Sequence, residues 1–165
     1  MERVKRSAKL AFYGVTSGAE TVYHRMKGFT SLSTSKNPKE YTRQYTDMDF
    51  EETDIIGYSP SIGFDFDLYK DSAVHQDIAE IFDKEKIGDA AIREIVVVDL
   101  TSPAGGENSA TYTARMRQYA VVPSDEGGNL DRYNYTGTFK VKGDMVEGTA
   151  TTNDEWQTIT FTPAE

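Results

Sequence analysis

The chain has 165 residues, of which 38% are hydrophobic and 12% are aromatic. These fractions exclude a disordered chain and suffice for one domain, residues 1–165, with a hydrophobic core. Because the sequence has no cysteine and only two histidines, it excludes a disulfide framework, cysteine-ligated zinc, an iron–sulfur cluster, a catalytic thiol and a three-histidine metal site.

The net charge of −9 is unevenly distributed along the chain. Residues 1–43 contain nine Lys or Arg against three Asp or Glu, whereas residues 44–165 contain nine against twenty-four. An acidic protein lacks the cations that tight nucleic-acid binding requires. The asymmetry has two interpretations: a solvated basic arm, or a basic segment of one copy that contacts an acidic segment of the next.

The first twenty residues are interpreted as a basic N-terminal arm, most strongly so over residues 1–7. The apolar stretch that follows at 10–15 is short, is interrupted by Gly14 and has no credible cleavage site. We therefore expect an intracellular, unprocessed protein without a membrane span, since a span needs about 18 apolar residues.

An acidic connection follows the probable strands at 21–35 and 41–46. Residues 46–60 are predicted to form a long loop, and loops of that length in a compact domain are usually functional or mobile. A calcium-loop interpretation fails on spacing, because the sixth position from Asp47 is Glu52 instead of Gly and the twelfth is Tyr58 instead of Glu.

The rest of the chain shows the two-residue period of strands, with one exception. In residues 72–86 the apolar residues Val74, Ile78, Ile81 and Phe82 follow a helical spacing, and Asp71 or Ser72 can cap the start. This predicts a mainly β domain with one amphipathic helix packed on a sheet. The segments predicted as strands are 62–68, 92–100, 110–122, 135–141, 145–152 and 156–162, with a Gly/Asp/Asn loop at 124–131.

Asp65 and Asp67 lie two residues apart on one face of a predicted strand. Such a pair could serve as acid and base in a glycosidase, but it is also a common way to cover a wet sheet surface. With no catalytic or phosphate-binding motif elsewhere, the sequence favours a protein that is not an enzyme and needs no cofactor or metal. A half-polar sheet and opposite charges on early and middle segments instead favour head-to-tail assembly.

The sequence resembles the major tail tube proteins of long-tailed (siphovirus-type) bacteriophages and prophages of Gram-positive bacteria. The stretches that carry the resemblance are, in chain order, 58–69 (YSPSIGFDFDLY), the helix 73–84, 95–100 (IVVVDL), 114–119 (ARMRQY), 135–143 (YTGTFKVKG) and 147–151 (EGTAT). The first twenty residues match no feature of the family.

The resemblance implies a β-sandwich or barrel with a flanking helix, six copies of which close a ring. Inner sheets would line a channel, and stacked rings would form the tube that conducts DNA from the virion. The implied partners are other copies of the chain and the tail tip or initiator, tape measure and tail terminator proteins, with production in the cytoplasm of the host bacterium.

In this family a long loop and the termini usually connect rings. The residues expected to do so here are Asp47, Asp49, Phe50, Glu51, Glu52 and Asp54, with Arg3, Lys5 and Arg6 in the N-terminal arm. An acidic channel repels phosphates, and Asp65 and Asp67 are the candidates to line it. Two alternatives stay open. One is the tube of a contractile phage-tail-like particle. The other is a soluble β-sandwich module that binds carbohydrate or another surface ligand, with Tyr133, Tyr135 and Trp156 as rings that could stack on sugars.

Overall fold

The computed structural model describes residues 1–106 and 110–165, which form eleven strands and one α-helix. The mainly β fold with one helix confirms the prediction. The strands are β1 (Lys9–Ser17), β2 (Glu20–Arg25), β3 (Phe29–Ser35), β4 (Pro38–Arg43), β5 (Glu52–Tyr58), β6 (Ser61–Asp67), β7 (Ile92–Pro103), β8 (Tyr112–Gly128), β9 (Tyr133–Val141), β10 (Val146–Thr151) and β11 (Thr158–Pro163). The helix α1 spans Ala73–Asp83.

Nine strands form one antiparallel sheet in the order β10-β11-β2-β1-β7-β8-β9-β6-β3. Because β10 also pairs with the first residues of β8, the six strands from β10 to β8 close into a small barrel. The second half of β8 leaves the barrel and pairs with β9, so that β8, β9, β6 and β3 make a four-stranded extension.

Alternation along the strands produces two separate cores, since successive side chains point to opposite faces of a sheet. In β1, Leu10 and Phe12 point into the barrel, whereas Tyr13 packs in the core beneath α1. The barrel core also contains Val96, Val98, Ala114, Ala150 and Ile159. The core beneath α1 unites the helix with the extension through Phe64, Phe66, Tyr135 and Phe139.

The helix buries the stripe that its spacing predicts, Val74, Ile78, Ile81 and Phe82. The Ser72 side chain accepts a hydrogen bond from the backbone N–H of His75, which confirms the predicted cap. The helix ends at Asp83, three residues before the predicted end, and Glu85 then adopts a left-handed φ of 48°.

The prediction of a basic N-terminal arm over residues 1–20 is wrong beyond residue 8. Lys9–Ser17 is a central strand, paired with β2 on one side and β7 on the other. The sequence pattern did not indicate a strand because β1 is buried on both faces. Its short apolar run therefore lacks the alternation of a half-exposed strand.

The prediction of a loop over residues 46–60 is also wrong in part. Glu52–Tyr58 is strand β5, which pairs with β4. Strand β3 comes directly before β4, and β6 comes directly after β5. Because β3 pairs with β6, residues 29–67 form one long hairpin. We call its outer part, residues 38–58, the arm and its turn, residues 44–51, the arm tip. The arm joins the hairpin at Asn37, whose side chain donates to Ser59 O at 3.1 Å and whose carbonyl accepts from Ser59 N at 3.3 Å.

Candidate assembly surfaces

The arm's strands pair only with each other among the described residues, and the arm exposes large apolar side chains. A two-stranded hairpin is at best marginally stable alone in water, and contiguous exposed apolar surface marks interaction sites. The arm therefore has the character of a contact surface. Its exposed apolar residues are Tyr41, Tyr45, Phe50, Ile55, Ile56 and Tyr58.

Six of the residues predicted to connect rings lie on the arm. The five acidic residues among them fall into two groups, one paired with Arg43 and one unpaired in the described ranges. Arg43 binds Asp54 at 2.5 Å and Glu52 at 3.3 Å, and it also lies over the Tyr45 ring. By contrast, Asp47, Asp49 and Glu51 form no ion pair in the part of the chain that the structure describes. They flank Phe50, which is 63% exposed. The arm tip is thus an apolar side chain among uncompensated carboxylates.

The three predicted basic residues lie apart from these carboxylates within one protomer. Arg3 and Lys5 are exposed in the segment before β1. Arg6 donates from Nη2 to the carbonyl of Leu32 at 2.6 Å, which ties the N-terminal segment to β3. No ion pair joins any of the three to the arm among the described residues, so contact between the two groups needs a second copy.

Asp65 and Asp67 both lie on the face of β6 that is turned away from α1. Their neighbours Phe64 and Phe66 point into the core. Asp65 accepts from Asn134 Nδ2 at 3.2 Å, and Arg132 binds Asp67 at 2.5 Å. Apart from Val122 of β8, which is 37% exposed and pairs with Thr138, this face of the described extension carries small and polar side chains. Ser31 and Thr136 lie opposite Asp65, and Asn134 lies opposite Asp67. Further along the same face are Ser33, Ser61, Gly63, Thr138 and Lys140.

The extension has two open edges that sequence reasoning missed. Within the described residues β3 pairs with β6 alone, and residues 121–128 of β8 pair with β9 alone. All pairings within the extension are antiparallel, so β3 runs opposite to β8. Local pattern cannot indicate an open edge, because openness depends on which strands are absent from its side. Such edges present unpaired N–H and C=O groups that can template another chain.

His75 is buried and fixes the connection between β2 and β3. Its Nδ1 accepts from the backbone N–H of Tyr69 at 3.2 Å, and its Nε2 donates to the carbonyl of Lys27 at 2.7 Å. Burial lowers the pKa of His75, although the hydrogen bond to the Lys27 carbonyl and then the charges of Asp67 and Asp71 oppose that effect. The imidazole therefore positions the start of edge strand β3.

A second polar cluster fixes α1 to the barrel. Arg93 Nε donates to Asp77 Oδ2 at 2.7 Å, and the Tyr13 hydroxyl donates to the same oxygen at 2.5 Å. Burial and then the neighbouring Asp77 raise the pKa of Tyr13 well above its usual value. Both charges of the ion pair are mostly buried and satisfied, so the cluster has the geometry of a structural support.

The structure also tests the aromatic residues expected of a carbohydrate-binding module. Tyr133 is exposed, but Tyr135 is buried and contacts Phe82. Trp156 packs against Phe12 and Tyr112 at the barrel core. The three rings do not form one exposed platform on which a sugar could stack. The observation that suggested a carbohydrate-binding module is therefore not supported by the fold.

The described ranges, 1–106 and 110–165, lack two further features. No group of three or more His, Asp or Glu side chains in them is arranged to hold a metal ion. No helix in them is long and apolar enough to cross a membrane.

No protein-family model and no curated protein match this sequence. A search of solved structures finds a similar chain in the cryo-EM structure of the anti-feeding prophage (AFP) baseplate, 6-fold symmetrised. The TM-score is 0.44 and the sequences are 10% identical, with 89% of this chain and 97% of that chain covered.

Proposed function

We propose that this protein is a structural subunit of a phage tail or phage-tail-like particle, and that its copies join into stacked hexameric rings around a DNA-conducting channel. The observation that carries the proposal is the four-stranded extension with two complementary open edges. The sequence resemblance to major tail tube proteins supports the same function, and the hexameric number comes from that resemblance alone.

Edge-to-edge pairing explains how one copy joins the next. If β3 of one copy lies beside residues 121–128 of its neighbour, the two strands are antiparallel and the sheet continues without a change of pattern. The two edges differ, so the contact is heterologous and repeats around a ring. Ring closure pairs both edges of the extension, so that neither is left exposed.

The polar face of the extension would then line the channel. It offers small, polar side chains and the carboxylates of Asp65 and Asp67, and Val122 at the β8 edge is the large apolar side chain exposed on it among the described residues. A surface of this kind can be wetted and gives passing phosphates few cations to bind. Arg132 compensates Asp67, so Asp65 contributes most of the repulsion from this pair.

Contacts between rings belong to the arm and the N-terminal segment in this proposal. The arm residues are Asp47, Asp49, Phe50, Glu51, Glu52 and Asp54, and the basic residues are Arg3, Lys5 and Arg6. A finished tail would add a tip or initiator, a tape measure and a terminator protein as partners. Its location would be the virion, after synthesis in the bacterial cytoplasm. Both contractile and non-contractile particles fit the geometry.

Two proline substitutions in β3 test the edge contact. Adjacent residues of a strand direct their N–H groups to opposite sides. Of the two variants, Ser33→Pro and Thr34→Pro, one therefore removes an N–H that faces β6. The other removes an N–H that faces outwards from the sheet. A proline is tolerated on an edge strand when the lost N–H faces solvent. We expect one variant to unfold more easily and the other to keep the wild-type thermal midpoint but form no rings.

The measurements are circular dichroism for folding and negative-stain electron microscopy with light scattering for assembly. The concentrated wild-type protein should form rings or hollow tubes. A folded β3 variant that still makes normal rings would refute the edge contact. A wild-type protein that stays monomeric at high concentration and with a tail-tip nucleus would refute the proposed function.

A further inference from the structure

A groove with an apolar floor and a basic rim opens beside β3, at the base of the arm. Its volume is about 380 Å³. Val97 and Met145 lie in it with 39% and 40% of their surfaces exposed, which leaves apolar surface uncovered. Its lining residues, within ranges 1–106 and 110–165, include no carboxylate. Five cations line it: Arg6, Lys9, Lys36, Arg115 and Arg117.

Among the described residues, the carboxylate near the basic rim is Asp99, which interacts electrostatically with Lys9 and Arg115. Lys9 approaches Asp99 at 3.8 Å, which is the one ion pair made by these five cations among the described residues. In the part of the chain that the structure describes, the Arg6 guanidinium donates to the backbone carbonyl of Leu32 and to no carboxylate. The Nε atom of Arg117 is buried without a hydrogen-bond partner in the described part of the chain. A buried donor without an acceptor is costly, so the groove is suited to an occupant that brings anionic oxygens.

The arm tip has the complementary composition. Asp47, Asp49 and Glu51 have no ion-pair partner in the described ranges, and they bracket exposed Phe50. The groove places cations around apolar side chains, and the tip places carboxylates around an apolar side chain. Opposite potentials on two such surfaces favour encounter and fix their register.

The protomer's own arm cannot fill its own groove. Lys36 lines the groove and immediately precedes Asn37, where the arm begins. The six residues of β4 span about 20 Å at roughly 3.3 Å per residue, so the arm tip lies far from the groove at its base. Hydrogen bonds between Asn37 and Ser59 hold the arm in line with the hairpin. The occupant must therefore come from another copy.

We propose that the groove lined by Arg115 and Arg117 receives the acidic arm tip, residues 44–51, of a second copy of this chain. This inference rests on the proposed function and identifies the surface that receives the arm. Each copy offers its tip to one neighbour and its groove to another. The contact is therefore heterologous and propagates in one direction.

Engineered cysteines test the contact directly, because the sequence contains no cysteine. Thr46→Cys places a thiol on the tip without removing a carboxylate or Phe50, and Met145→Cys places one in the groove. Under mild oxidation the double variant should give a reducible ladder extending beyond dimers. The matched control pairs Thr46→Cys with Ile87→Cys, which is exposed near the end of α1, and should give at least tenfold less of the higher species.

Charge exchange provides a second, independent measurement. One variant carries Asp47→Lys, Asp49→Lys and Glu51→Lys, and the other carries Lys36→Glu and Arg115→Glu at exposed groove positions. Each alone should lengthen tubes at least tenfold more slowly than wild type, because like charges face each other. An equimolar mixture should restore growth, since each variant's tip then meets the other's groove.

The outcomes separate this inference from the proposed function. Normal tubes without the cysteine ladder, or a mixture that fails to recover while each variant still folds, would overturn the groove contact and leave the proposed function standing. If the cysteine ladder forms but the wild-type protein never makes rings or tubes, the groove contact stands and the proposed function is overturned.

Discussion

At the scale of single residues, the buried polar groups of this protein position the elements used for assembly. His75 is 1% exposed, and both of its ring nitrogens bond to backbone groups, one of them on the connection that leads into β3. Its ring also stacks on Phe66 with centroids 4.5 Å apart. A substitution here therefore acts on the edge strand through the hydrogen bonds that hold its start.

His75 should make the stability of the protomer depend on pH. Its pKa is lowered in the folded state, so below the ordinary histidine pKa of about 6.5 the unfolded chain binds a proton that the folded chain does not. The free energy of unfolding then falls as pH decreases through that value. His75→Gln should lose about 1–3 kcal/mol at pH 8 and show a shallower decline from pH 8 to pH 5.

Urea denaturation at pH 8, 7, 6 and 5 provides the measurement. The matched control is His24→Gln, because His24 is only half-buried and lies on β2. If wild type and His75→Gln show parallel pH dependence, the buried imidazole is not the group responsible.

At the scale of secondary-structure elements, the arm and the sheet beneath it have separate roles. The arm's strands β4 and β5 pair only with each other among the described residues, whereas β3 and β6 reach the core through Leu32, Phe64 and Phe66. Burial of apolar surface stabilises the second pair and contributes little to the first. The arm is thus free to exchange its solvent contacts for contacts with another molecule.

Deletion of residues 47–54, closed by a short Gly-containing turn, should leave the protomer folded and stop tube growth. The deleted residues contribute none of the side chains of either core, so the thermal midpoint should change by only a few degrees. Circular dichroism and electron microscopy check the two parts. A control with Asp47→Asn and Asp49→Asn keeps the length of the arm and should weaken growth without stopping it. Loss of the folded signal on deletion would show that the arm supports the core.

At the scale of the whole molecule, the sheet separates its surfaces by chemistry. One face of the extension is covered by α1 and contains the aromatic core, and the other carries small and polar side chains except for Val122. The heterologous edges run along the sides of that sheet, and the arm extends beyond it. This separation lets one domain make a wall, a ring contact and a connection to the next ring.

Reversing one charge on the polar face should convert a non-binding channel into one that retains DNA. Among the described residues the Asp65 carboxylate accepts one hydrogen bond, from Asn134, so Asp65→Lys should fold and assemble normally. In a ring the added lysines would bind phosphates and release counterions. Assembled Asp65→Lys tubes should retain a fluorescent oligonucleotide at low salt and release it as salt rises.

The control Asp89→Lys makes the same charge change at an exposed position on the turn before β7. Equal retention by both variants would remove Asp65 from the channel lining.

The sequence by itself determined the local character of most elements. The stripe from Val74 to Phe82 and the Ser72 cap identified α1, and the alternation from Ile62 to Leu68 identified β6 and its two unlike faces. These properties follow from residues a few positions apart, whose side chains share a face whenever the local backbone is helical or extended.

Only the tertiary structure decided which strands are neighbours. The burial of β1 on both faces, the pairing of β4 with β5, the closure of the barrel through Met116 and Val146, and the open edge of β8 all depend on residues that meet from distant parts of the chain. The groove is of the same kind, since Lys36, Arg115 and Met145 share no local pattern. Periodicity specifies the face of an element, but a strand's partner is specified by complementarity across the whole fold.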